Sequence, residues 1–226
     1  MKKVLLLLGI VLVLAVTPCL ATSVTFANFH NLGGQDVGLL FSNLPDTGTL
    51  QVLNTPVVFN FYNVSEPPAL LGDQAAHLVL TAVTHTTASL IGGVFIQQPG
   101  YSGTFTITRD TPYLGHNILL QGTFTSANLS GINGGTSAEL GGSTPPGTAV
   151  VFYSDFVNFT SAQTEAFSFS MSSVFPSLGL NASSYIRPFR ASETGTFSAD
   201  VVPEPLTFLL VGSGLVGLGL LRRRRK

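Results

Sequence analysis

The chain has 226 residues, ten Lys and Arg against eleven Asp and Glu, a formal net charge of −1, one Cys and no Trp. With 45% hydrophobic and only 9% charged residues it is not a highly charged disordered chain. One Cys cannot build a disulfide framework, and the placement of the few cations excludes a nucleic-acid interface, as shown below.

The N-terminus opens with Lys2 and Lys3, followed by an apolar run over residues 4–16 and then Cys19-Leu20-Ala21. A basic start, a short apolar core and a small-residue end predict a secretory signal peptide over residues 1–21, cut after Ala21. A lipoprotein signal using Cys19 would need a small residue where Pro18 stands. An uncleaved anchor would need a longer apolar run.

Residues 22–201 form the expected exported body. They contain no Lys, and three arginines (Arg109, Arg187, Arg190) against ten acids give a formal charge of −7. No cluster of cations is left to hold a phosphate backbone, so the body has no nucleic-acid footprint. The lone Cys departs with the signal peptide, so stability must come from burial and backbone pairing. Period-two alternation recurs over residues 57–62, 77–83, 103–108, 118–125, 148–153, 166–171 and 194–199. Further short strands are predicted over 24–29, 50–53, 90–96 and 128–132. About ten strands with one apolar face each predict an all-β, single-domain β-sandwich or jelly roll. Pro45-Asp46, Pro67-Pro68, Pro99-Gly100, Asn133-Gly134-Gly135 and Pro145-Pro146-Gly147 read as loop punctuation, with residues 131–147 as a long surface loop. A Gly-Thr-Phe unit occurs at Gly103, Gly122 and Gly195; its uneven spacing excludes a solenoid repeat.

No catalytic constellation is legible: there is no G-x-S-x-G elbow, no H-E-x-x-H and no phosphate loop. His77 and His85 flank one extended segment and are expected far apart; His30 and His116 are the other two imidazoles. Asp46, Asp73, Asp110, Asp155 and Asp200 occur singly, so a calcium ion, the one cofactor the acids suggest, would have to be held non-locally. Glu66, Glu139 and Glu165 are the carboxylates that a glycosidase-like pair could draw on. Tyr62, Tyr101, Tyr113, Tyr153 and Tyr185 are the rings available for stacking on sugars.

The C-terminal segment, residues 202–226, has three parts. Pro203-Glu204-Pro205 is followed by an uncharged run over 206–221 and then by Arg222-Arg223-Arg224-Arg225-Lys226. Sixteen residues at about 1.5 Å each make a helix of about 24 Å, short for a bilayer core but workable with local thinning. Pro205 suits a first helical turn. The five cations stop transfer and place the C-terminus inside, the body outside. Gly212, Gly214 and Gly217 match a dinucleotide-binding G-x-G-x-x-G formally, without the strand–helix context that the motif needs.

This order of acid between prolines, apolar helix and basic stop resembles the PEP-CTERM sorting signal of exported bacterial proteins, with the apolar run on the short side of the pattern. The body resembles the single-domain ectodomains joined to such tails, over residues 115–125, Phe152-Tyr153-Ser154-Asp155 and residues 193–199. The resemblance implies transient residence in the inner membrane, processing near Pro203-Glu204-Pro205 by an exosortase-type membrane enzyme, and release to the cell surface or an exopolysaccharide-rich matrix. The expected function is therefore non-enzymatic, with a glycan-binding module on the cell surface as the alternative.

Overall fold

In a computed structural model, residues 23–32, 39–44, 47–64, 70–144, 149–160, 162 and 164–200 are described. Ala21, Pro203, Glu204, Pro205, the helix predicted over 206–221 and the basic run Arg222 to Lys226 lie outside them. Among the described residues no helix is long and apolar enough to cross a membrane.

Alternation in the sequence becomes alternation in space. The strands are β1 (Val24–Asn31), β2 (Leu39–Leu44), β3 (Thr47–Phe61), β4 (Gln74–Thr84), β5 (Ser89–Ile91) and β6 (Phe95–Tyr113). They continue as β7 (His116–Ile132), β8 (Ala138–Thr144), β9 (Val150–Tyr153), β10 (Glu165–Phe175) and β11 (Phe189–Ala199). On β4 every second residue from Gln74 to Thr84 is buried, and on β11 the buried parity runs Phe189, Ala191, Glu193, Gly195, Phe197, Ala199.

Each of β1, β3, β4, β6, β7, β8, β10 and β11 pairs antiparallel with the next, and β11 returns to β1, with Val24 facing Ala199 and Phe29 facing Gly195. The result is a closed, up-and-down, eight-strand barrel. β2 takes over from β1 in the wall, again between β3 and β11, β5 extends the wall beside β6, and β9 pairs with one half of β7.

The all-β expectation holds, but the two-sheet sandwich is replaced by this barrel. One apolar face per strand reads the same whether the sheet covers a second sheet or closes on itself. What distinguishes the two is strand length and coiling, and here the alternation was cut too short. Pro99-Gly100 is not a loop but a bulge inside the 19-residue β6, where the register shifts between Gln98 and Tyr101 and Gly100 has φ 81°. Ser126, at φ 61°, bends the 17-residue β7 in the same way. Bulges of this kind let long strands turn around a barrel. The predicted loop over 131–147 also gives way, since it contains β8.

The interior is filled by aromatic rings. Phe105 lies 5.2 Å from both Phe169 and Phe197, and Phe29, Phe59 and Phe167 complete the cluster. The Gly-Thr-Phe units explain how so many rings fit. In each, Gly and Phe point inward, and each Gly faces a Phe on a neighbouring strand: Gly103 faces Phe124, Gly122 faces Phe105, and Gly195 faces Phe29 and Phe169. A methyl group at Gly122 would fall within the Phe105 ring, and one at Gly195 within the Phe29 ring. An eight-strand barrel has room either for its own side chains or for one small ligand; here the rings take that room. The outward parity carries Thr104, Thr106, Thr123, Ser168, Thr194 and Thr196.

Candidate functional site

The concentration of titratable groups lies at the end of the barrel where β9 approaches β10. β9 pairs with β7, Phe152 facing Gly122. On its other side the Phe152 N–H donates to the Glu165 carboxylate at 3.0 Å, a side-chain bond where a ladder would otherwise run. Next along the chain, the Thr164 N–H donates to Asp200 Oδ1 at 2.6 Å and the Asp200 N–H donates back to Thr164 O at 3.1 Å. Beyond β9 the chain turns at Ser154, whose Oγ accepts the N–H groups of Phe156 and Val157. Phe159 then lays its ring against Phe26 at 4.9 Å and Phe152 at 5.8 Å, plugging the barrel end.

Asp155 fastens this turn to the β6–β7 hairpin. Its Oδ2 accepts the N–H groups of Asn117 and Ile118, and its Oδ1 accepts the Tyr153 hydroxyl at 2.9 Å. Burial alone would raise its pKa, but the Ile118 N–H, the Tyr153 hydroxyl, the Asn117 N–H and nearby His116 outweigh it and hold the carboxyl below its ordinary value. Glu165 goes the other way. Burial raises its pKa to about 7, with the Phe152 N–H opposing and the Asp200 charge assisting. A depression of about 580 Å³ lies over these groups, lined by residues 150–160 with Glu165 at its base. A proton-holding carboxyl beside a second carboxylate is the electrostatic setting of an acid–base pair. Here, however, Glu165 accepts one backbone N–H and Asp155 two, which makes them latches of the barrel end.

A second buried acid, Glu193, stands on β11 with 0% exposure and neither carboxylate oxygen bonded to another residue. Burial raises its pKa to about 7, against a bond from its own N–H. Its position is explained by the wall. β1 pairs with β11 as far as Gly195, and β2 resumes the pairing at Ala191, so Glu193 lies at the step between the two strands. Ten residues of chain from Phe29 to Leu39 span that four-residue step of β11. Across it, Asn31 Nδ2 donates to Ser192 Oγ at 3.0 Å.

His77 lies near the start of β4 and His85 just beyond its end, so the strand keeps them apart as expected. His77 Nδ1 lies 2.7 Å from Asp110 Oδ1 across β4 and β6, His116 lies 3.9 Å from Asp155, His85 meets Thr47 at 3.4 Å, and His30 is exposed on β1. Among the described residues no three His, Cys, Asp or Glu gather as a metal site, so calcium gains no side-chain cluster. Of the glutamates considered as a pair, Glu139 and Glu165 are not brought together. Glu139 is on the outer wall bonded to Ser168, Glu165 is inside, and Glu66 lies outside the described residues. Tyr101 and Tyr185 are buried, the first donating to Gln98 Oε1 and the second to His85 O, so they offer no stacking platform. The pairing of Glu165 with Asp200 and the burial of Glu193 were missed. Both glutamates could have been found by parity, since Glu165 alternates in step with Phe167 and Phe169, and Glu193 with Phe197.

No family model matches the chain, and neither a curated protein nor a solved structure is found to be significantly similar to it.

Proposed function

We propose that the chain is an exported, non-enzymatic surface or extracellular-matrix protein, delivered by a signal peptide cut after Ala21 and sorted through a PEP-CTERM-like C-terminal signal. The observation that carries this reading is the order of residues 202–226: Glu204 between two prolines, an uncharged run, then five cations. The body fits such a life. It has no Lys, its outer wall is rich in Thr and Ser, and its interior is occupied by its own aromatic rings instead of being open to a transported ligand.

The register adds an orientation. Val24 faces Ala199, so β1 begins and β11 ends at the same end of the barrel. A membrane helix over residues 206–221 would then stand the barrel with its β5–β6 hairpin pointing away from the bilayer. An exosortase-type enzyme would act near Pro203-Glu204-Pro205, close to the barrel's membrane-facing end. Intact-mass spectrometry of the protein from the cell surface and medium of its native host tests this. The expected form begins at Thr22 and lacks residues 206–226. A surface form that keeps Arg222 to Lys226 would overturn processing, and a cytosolic form with residues 1–21 intact would overturn export.

A further inference from the structure

The ladders on the outside of the barrel align outward side chains from four adjacent strands. Gln97 on β6 faces Ser130 on β7, Ser130 faces Glu139 on β8, and Glu139 faces Ser170 on β10. With strands about 4.8 Å apart, this amide, hydroxyl and carboxylate row is about 14 Å long. The adjacent row is apolar: Phe95 faces Ile132 on one side and Ile91 on the other, and Phe95 is 58% exposed. On the opposite flank Asn128 faces Gly141, where no side chain fills the floor. Apart from Gly141, these residues line a groove of about 580 Å³. Two details mark it as more than a polar sheet face. Ser168 Oγ donates to Glu139 Oε1 at 2.7 Å, which fixes the carboxylate beside the row. Asn128 also brings its side-chain amide to the groove wall.

We propose that this groove binds a segment of a neutral oligosaccharide. A sugar ring presents an apolar C–H face and an edge of hydroxyl donors and acceptors. The groove offers the complement of both in neighbouring rows, an exposed aromatic ring beside amide, hydroxyl and carboxylate groups. Charge selects within the class: among the described residues no Lys or Arg lines the groove, and Glu139 is its charged group, so anionic sugars are disfavoured. Strand pairing selects against an extended peptide. β6, β7, β8 and β10 have neighbours on both sides here, and the edge strand that reaches the groove, β5, is only three residues long, too short to template an added strand.

The inference does not depend on how the chain is sorted, because binding can be measured on the full chain in detergent micelles. Calorimetric titration with cellohexaose, maltohexaose, mannohexaose and xylohexaose should show saturable binding to at least one, and none to an oligogalacturonate. Phe95→Ala and Asn128→Ala should each weaken that binding tenfold or more with an unchanged circular dichroism spectrum. Phe175→Ala removes another exposed ring outside the groove and should leave it unchanged. Absence of saturable binding across the neutral panel overturns the proposal, as does binding that Phe95→Ala leaves intact or that Phe175→Ala weakens equally.

Discussion

The barrel wall buries two glutamates in contrasting ways. Glu165 gives an oxygen to the Phe152 N–H and so closes the seam between β9 and β10. Glu193, at the step between β1 and β2, closes nothing; its oxygens meet no residue but its own. Both have pKa values raised to about 7 by burial, yet only one offsets its desolvation with a bond the fold needs. An acid that replaces a backbone partner is part of the architecture, whereas an acid that bonds only to itself is a cost carried by its surroundings.

The largest expected effect is on stability against pH, where the two acids act together. A carboxyl whose folded pKa is raised binds more protons folded than unfolded, so it favours the folded state below its ordinary value. That advantage is lost as pH rises from about 4.5 to about 7. Each group removes about 1.4 kcal/mol per pH unit within the window, so the barrel should be several kcal/mol less stable at pH 8 than at pH 5. Urea unfolding at the two pH values measures it, and a barrel more stable at pH 8 would contradict both burials. Asp155, with a lowered pKa, acts only below the ordinary carboxylate range and does not disturb this window.

Separating the two acids gives the next effect. Glu193→Met removes a buried charge with little change in volume, so at pH 8 it should stabilise the fold by about 1–3 kcal/mol. It should also reduce the pH 5 to 8 slope by about half. Glu165→Met removes its own share of the slope but leaves the Phe152 N–H without its acceptor, which costs about 1–3 kcal/mol and cancels the gain. Equal stabilisation by the two substitutions in urea melts at pH 8 would erase the distinction between latch and orphan.

Which of these features can be read from the sequence follows from what periodicity encodes. Parity along a strand was legible, so the inward Phe residues and the all-β class were too. Closure was not, because Val24 and Ala199 lie at opposite ends of the body and no local pattern says that they pair. Nor was the length of β6, since Pro99-Gly100 looks like a turn unless one knows that Tyr101 resumes the inward parity beyond a bulge. The repeated Gly-Thr-Phe was visible, but its meaning, a glycine facing a ring across the ladder, needs the register. The groove on the outer wall is still less legible, because Gln97, Ser130, Glu139 and Ser170 become a row only once four strands are aligned.

Asp155 sharpens the comparison from the exposed side of the same barrel end. Like Glu165 it holds backbone N–H groups, from Asn117 and Ile118, but its pKa is lowered, because those donors and the Tyr153 hydroxyl outweigh its partial burial. Asp155→Ala should therefore destabilise by about 1 kcal/mol, the scale of hydrogen bonds whose donors water can partly recover. The slope between pH 5 and 8 should stay as in the parent, since this carboxyl remains ionised throughout that range. Hydrogen exchange should quicken at Asn117 and Ile118 while the Phe152 amide, held by Glu165, stays protected. If exchange at Phe152 quickened equally, the two carboxylates would be one cooperative latch and not two separate fastenings.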